Sequence, residues 1–221
     1  MKYIFLDLDD TIFDFKKAEE IALRKTLSEF KINADDREIA RYSSINQAQW
    51  ELLQQGKLTR DEVKFRRFSI FLEGTGVDPV PVANRYQDNL AIGHYFMDGA
   101  EELLSALHGK YKLYLASNGT KRVQMQRLAS ANILPLFDGV FLSEELGYEK
   151  PSPLFFEKAF ASIRGFEKSE AVIVGDSLSS DVLGGKQAGI KTIWFSRDGE
   201  SDLPDYTIRA LSELPSLLEN I

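Results

Sequence analysis

Five short apolar runs set the rhythm of the chain: residues 2–7, 111–117, 138–142, 171–175 and 190–195. They are strand-length and close to continuously apolar, the pattern of strands buried on both faces. Helical spacing fills most of the gaps. Leu103, Leu104 and Leu107 precede the second run, and Val123, Leu128 and Ala131 follow it. Leu154, Phe155, Ala159 and Phe160 precede the fourth, behind Pro151 and Pro153, which mark a helix start. Strand–helix alternation predicts an α/β fold, a doubly wound parallel sheet with right-handed crossovers. Leu211, Leu214, Leu217 and Leu218 predict a last helix packing back on that sheet.

Residues 14–92 break the rhythm. No run there reads as a strand. Ala18, Ile21, Ala22, Leu27 and Phe30 recur at helical spacing, as do Ile39, Tyr42 and Ile45. Thr59-Arg60-Asp61-Glu62 has the form of a capping box. Gly74-Thr75-Gly76 ends that helix and Asp78-Pro79 starts another. The prediction is an all-helical cap over 14–92, inserted after the first strand of a core made of 1–13 and 93–221.

Composition narrows the chemistry. The 221 residues contain no cysteine, which excludes disulfides, thiolate nucleophiles and cysteine zinc sites, and is compatible with a cytoplasmic location. The apolar run at the start is four residues long and ends in acid, unlike the core of a signal peptide. No stretch reaches membrane-spanning length. A net charge of −7 argues against a nucleic-acid surface. His94 and His108, the only histidines, take structural or surface roles.

Ligands of an open parallel sheet bind beyond the carboxyl ends of its strands. Strand one ends in Asp7-Leu8-Asp9-Asp10-Thr11, strand two in Ser117-Asn118-Gly119-Thr120, and strand four in Gly175-Asp176-Ser177-Leu178-Ser179-Ser180-Asp181. Glu149-Lys150-Pro151 precedes the helix leading to strand four. Strand alternation puts Asp7 and Asp9 on the same side. Buried acids are costly without a cation or hydrogen bonds. Acids, a hydroxyl and a lysine converging on one edge suit phosphoryl transfer: one acid as nucleophile, one as proton carrier, and Mg²⁺ offsetting the repulsion between carboxylate and phosphate.

These motifs, in this order and across essentially the whole chain, resemble the haloacid dehalogenase superfamily, whose core is Rossmann-like. The wording around Ser117-Asn118-Gly119, Ser143-Glu144-Glu145-Leu146-Gly147, Lys150-Pro151 and Gly175-Asp176-Ser177 is similar to its pyrimidine and non-canonical nucleoside 5′-monophosphate nucleotidases. The resemblance implies a Mg²⁺-dependent phosphatase working through an aspartyl phosphate. It makes Asp7 the nucleophile and Asp9 the proton carrier. Asp7, the Asp9 backbone carbonyl and Asp176 become the metal ligands. Ser117, Lys150 and an N–H near Asn118 bind phosphate, Asp181 orients Lys150 or a metal-bound water, and Thr11 fixes the first loop. An acid at Asp9 separates phosphatases from the dehalogenases, which need no protonated leaving group. Sugar-phosphate and phosphoglycolate phosphatases share this machinery. A phosphoryl-accepting signalling module would share several residues, but is about half as long and lacks the helical insert.

The expected partner is a small phosphorylated metabolite, a nucleoside monophosphate, and the protein a monomer or small homo-oligomer. Phe13 and Phe15, just after the acids, are candidates to line the substrate pocket. Tyr42, Trp50, Phe65 and Tyr86 fit cap packing better. Lys57, Arg60, Lys64, Arg66 and Arg67 read as a solvated helix face.

Overall fold

The computed structural model describes residues 1–221 and divides into two compact units, Met1–Phe15 with His94–Ile221, and Lys16–Gly93. In the first unit, β1 (Tyr3–Leu6), β2 (Lys112–Ser117), β3 (Gly139–Leu142), β4 (Ala171–Gly175), β5 (Lys191–Phe195) and β6 (Tyr206–Ile208) form one parallel sheet. Its order is β3-β2-β1-β4-β5-β6. The chain winds outward from β1 in both directions, so the reversal of strand order falls at β1. Tyr3 is in register with Lys112 on one side and Ala171 on the other. The carboxyl ends of β1, β2 and β4 therefore lie side by side.

The sheet is covered on both faces, as its apolar strands require. Ile4, Leu6, Leu113, Leu115, Val172 and Val174 pack with leucines of α5 (Ala100–Leu107) and α6 (Lys121–Ser130) and of the C-terminal helix Leu214–Glu219. Alternate positions Tyr3, Phe5, Tyr114, Ala116 and Ile173 face the aromatic side of α8 (Pro153–Ala161). The short helices α7 (Ser143–Leu146), α9 (Leu183–Ala188) and α10 (Leu214–Glu219) complete this unit. The sixth strand was not expected; Tyr206–Ile208 is three residues long, too short to show a period.

The second unit is helical: α1 (starting at Phe15 and running to Glu29), α2 (Asp36–Gln54), α3 (Arg60–Phe71) and α4 (Pro79–Leu90). Local chemistry sets the starts. Asp35 accepts the Glu38 N–H at 2.9 Å, and Thr59 and Glu62 exchange both bonds of the capping box. Tyr42 packs on Phe68 and Tyr86, with ring centroids 4.9 and 5.5 Å away, so these aromatics are core. Arg67 departs from the solvated face expected for it. It is buried, and its Nη1 donates to Asn46 Oδ1 at 2.7 Å. Asn46 in turn donates to the buried carboxylate of Glu19 at 2.6 Å, and Ser43 donates to its other oxygen. No helix of either unit is long and apolar enough to cross a membrane.

Candidate active site

Lys150 organises the edge of the sheet. Its ammonium is buried and spends its three donors on Asp7 Oδ1 at 2.7 Å, Asp181 Oδ1 at 2.5 Å and the Ala116 carbonyl at 2.6 Å. The loop that carries it is pinned by Asn118. The Asn118 side chain donates to the Lys150 carbonyl at 2.9 Å and accepts the Lys150 N–H at 2.8 Å. The Asn118 side chain thus positions the lysine.

Each acid arrives by a distinct device. Asp7 extends β1 by one residue, its N–H bonded to the Val174 carbonyl at 2.9 Å. Asp181 is turned back by a π-helical turn, Leu178–Val182, in which the Val182 N–H reaches the Ser177 carbonyl at 3.1 Å. Its Oδ2 then accepts the Ser177 N–H at 3.1 Å. Gly175 makes room for it, since a Cβ there would lie 2.3 Å from the Asp181 carboxyl carbon. The Asp176 N–H donates to the buried Thr11 hydroxyl, which ties the β4 loop to the β1 loop.

Asp7 and Asp9 take different partners. β1 ends at Leu6, and the chain turns so that the Ile12 and Phe13 N–H groups both reach the Leu8 carbonyl. Asp9 is held by side chains of α6, and its charge still acts on Asp7. Its Oδ1 accepts Arg127 Nη1 at 2.5 Å and its Oδ2 accepts Gln124 Nε2 at 2.6 Å. Gln124 also donates to Ser117 Oγ at 3.0 Å. Gln124 and Arg127 were missed in the sequence. Their only signal is a shared face of α6 at i and i+3, just after a strand ending in Ser117-Asn118-Gly119.

Phe13 is wholly buried, packed edge-on against Phe96 with centroids 5.1 Å apart and lying under the Arg127 guanidinium, which does not suit the pocket lining expected of it. Phe15 is half-buried at the start of α1, where its N–H is capped by Asp10 Oδ1 at 3.1 Å. Asp10 is thus a helix-start acid.

Carboxylate oxygens of Asp7, Asp176 and Asp181 lie within 4.8 Å of one another. Burial pushes Asp7 up to about 7 and Asp181's charge pushes the same way, while Lys150 opposes both. Burial, then the charges of Asp7 and Asp181, hold Asp176 well above the ordinary carboxylate range. For Lys150, burial acts downward, but Asp181 and Asp7 outweigh it and raise the ammonium above its usual value. One ammonium faces three closely spaced acids, Asp7 and Asp181 buried and Asp176 half-buried, so the site is short of positive charge when all three are ionised. A hard divalent cation with oxygen ligands fits that donor set and that charge, and Asp7, Asp176 and Asp181 are the acids close enough together to hold one.

The haloacid dehalogenase-like hydrolase family model matches residues 1–189. The chain is 37% identical to the HAD-hydrolase YfnB of Bacillus subtilis (strain 168), over 97% of this chain and 94% of that one. It is 38% identical to the pyrimidine 5′-nucleotidase PynA of Streptococcus pneumoniae, over 88% of this chain and 84% of that one. The pyrimidine 5′-nucleotidase YjjG of Escherichia coli is 29% identical over 98% and 97%. The crystal structure of YfnB bound to magnesium superposes with a TM-score of 0.93, covering 100% of this chain and 99% of that one.

Proposed function

The chain belongs to the haloacid dehalogenase-like hydrolases, and from that premise we propose that it is a Mg²⁺-dependent phosphomonoesterase acting on nucleoside 5′-monophosphates through an aspartyl phosphate. The observation that carries this reading is the division between the two acids that follow β1. Asp7 sits on Lys150 within the carboxylate cluster, and Asp9 sits on Arg127 beside Ser117. A nucleophile and a proton carrier need just such separate surroundings.

In this reading an oxygen of Asp7 attacks phosphorus and the bond from phosphorus to the ester oxygen breaks. Asp9 gives its proton to the departing alkoxide. Water then attacks the phosphorus of the aspartyl phosphate, returns a proton to Asp9, and frees inorganic phosphate and the Asp7 carboxylate. Ser117 binds the transferring group, the Lys150 ammonium sets its positive charge beside it, Asn118 holds Lys150, and Asp181 anchors the ammonium from the far side. Asp7, the Asp9 carbonyl and Asp176 would hold Mg²⁺, which when bound offsets the charge of nucleophile and phosphate. Phosphate monoesters need up to ~10²¹-fold acceleration, and positioned charge is the means such a site has.

The substrate class rests on relatives named as pyrimidine 5′-nucleotidases that align over most of the chain. Residues 1–15 and 94–221 would be the catalytic core, and 16–93 the cap.

The test is a panel of nucleoside monophosphates and sugar phosphates, read as kcat/KM with Mg²⁺ and with EDTA. Pyrimidine nucleotides should lead it, turnover should stop in EDTA, and Asp7→Asn should be inactive yet folded. A sugar phosphate at the head of the panel would overturn the substrate class. Metal-independent turnover or an active Asp7→Asn enzyme would overturn the mechanism.

A further inference from the structure

Asp9 is gripped at both oxygens by side chains that the mechanism above does not use. Arg127 Nη1 donates to Oδ1 at 2.5 Å and Gln124 Nε2 to Oδ2 at 2.6 Å. The two grips are joined, because Arg127 Nη1 also donates to Gln124 Oε1 at 2.9 Å. Gln124 Nε2 reaches Ser117 Oγ at 3.0 Å, so one amide links the acid to the hydroxyl. Gln124 is 1% exposed and Arg127 0%. The guanidinium lies 5.0 Å from the Phe13 ring centroid, a second fixed contact.

Burying a charged side chain is costly unless it is well paired, and apolar residues usually fill such positions without loss of stability. An arginine and a glutamine at i and i+3 of a helix whose other inward residues are Val123 and Leu128 therefore need a reason beyond packing. The backbone is shaped around them as well. A Cβ on Gly119 would lie 2.0 Å from Gln124 Nε2, so the turn after β2 leaves room for that amide only because residue 119 is glycine.

We propose that Arg127 and Gln124 are positioning residues of the reaction: they fix the Asp9 carboxyl group at one setting for proton transfer to the leaving oxygen, and Gln124 locks that setting to Ser117. The inference rests on the reading of Asp9 as proton carrier. No bond to Arg127 or Gln124 is made or broken; the proton passes from the Asp9 carboxyl to the ester oxygen as its bond to phosphorus breaks.

The requirement depends on the leaving group. The ribose 5′-alkoxide is strongly basic and must be protonated as it departs, whereas p-nitrophenolate leaves unaided. Because kcat/KM reports only steps up to loss of the leaving group, the pair of substrates isolates Asp9's first task. Uridine 5′-monophosphate (or the best alkyl phosphate of the panel) and p-nitrophenyl phosphate are compared for Arg127→Met, Gln124→Leu, Arg127→Lys, Asp9→Asn and the Asp9→Asn/Arg127→Met double variant.

The expected result for Arg127→Met is a loss of about tenfold or more in kcat/KM on the alkyl ester, within the range of a general acid, and less than about threefold on p-nitrophenyl phosphate. Arg127→Lys should recover part of the loss, and the double variant should be no slower than Asp9→Asn alone. Gln124→Leu, a smaller perturbation of the fold, should show the same substrate bias and serves alone if Arg127→Met does not fold. Equal losses on both substrates, or a further loss in the Asp9→Asn background, would overturn the proposal. Full alkyl-ester activity in Asp9→Asn is a separate result, which removes Asp9 as proton carrier before Arg127 is considered.

Discussion

Thr11 and Asp176 are joined across 165 positions of sequence: the hydroxyl oxygen of one accepts the backbone N–H of the other at 3.1 Å. This bond makes the β1 loop and the β4 loop one structure, and Asp176 is one of the three acids gathered there. Thr11→Val keeps the shape and removes the acceptor. A buried N–H left without a partner costs about 1–3 kcal/mol. The variant should lose that much stability in urea unfolding and should need more Mg²⁺ to reach half-maximal activity. An unchanged Mg²⁺ requirement would show that Thr11 has no part in placing Asp176.

Lys150 offers a larger effect. Its ammonium is the one cation bonded to Asp7 and Asp181, and all three side chains are buried. Removing one member of a buried ionic cluster leaves the others uncompensated, at a cost of about 3–5 kcal/mol. Lys150→Met should be destabilised to that extent in EDTA and inactive with Mg²⁺. Arginine should not restore it, since a planar guanidinium cannot point donors at Asp7, Asp181 and the Ala116 carbonyl in the same way. A loss below about 1 kcal/mol in urea unfolding would mean that the ammonium is not what holds the acids together.

Most of the sheet was legible because each strand is a compact apolar run between turn residues. The helical insert was legible because its caps are local, as in Thr59 with Glu62. Acids, hydroxyl and lysine could be placed at one edge because strand ends are sequence features. What escaped depends on tertiary context. Tyr206–Ile208 is a strand by virtue of its neighbour β5. Gln124 and Arg127 look like surface residues of α6, since polar side chains at helical spacing ordinarily face water. Only the arrival of Asp9 from the far end of the chain explains why they are buried. The turn at 8–13 that follows β1 is likewise invisible to an alternation rule.

The helical unit carries its own titration. Burial raises the Glu19 carboxyl above its ordinary value, and the hydrogen bonds from Ser43 and Asn46, with the charge of Arg67, offset only part of this. The sign follows from linkage. A carboxyl raised in the folded state holds its proton more tightly there than in the unfolded chain. Its ionisation therefore destabilises the fold. This cost is absent below the unfolded value of about 4.3 and grows as pH rises toward the raised folded value. Urea unfolding from pH 4 to 8 should show Glu19→Gln gaining stability relative to the parent as pH rises across that window. A difference that does not change with pH would mean that Glu19 titrates alike in both states.

Gly119 gives the most local test of the α6 contacts. A methyl group there would overlap the Gln124 amide, 2.0 Å from Nε2 and 2.5 Å from the carboxamide carbon. The obstacle is the end of a flexible side chain, so Gly119→Ala can be accommodated by moving Gln124 with little strain elsewhere. Moving it breaks the bonds to Asp9 and Ser117 together. The variant should keep its fold, with a change in unfolding free energy of about 1–2 kcal/mol for the lost hydrogen bonds. Hydrolysis of alkyl phosphates should fall more than hydrolysis of p-nitrophenyl phosphate, because the loosened group is Asp9. Gly119→Ala/Gln124→Ala, which vacates the space the methyl group enters but cannot remake the Gln124 bonds, should recover neither stability nor alkyl-ester activity. Recovery of both would show that Gln124 merely fills space beside the turn.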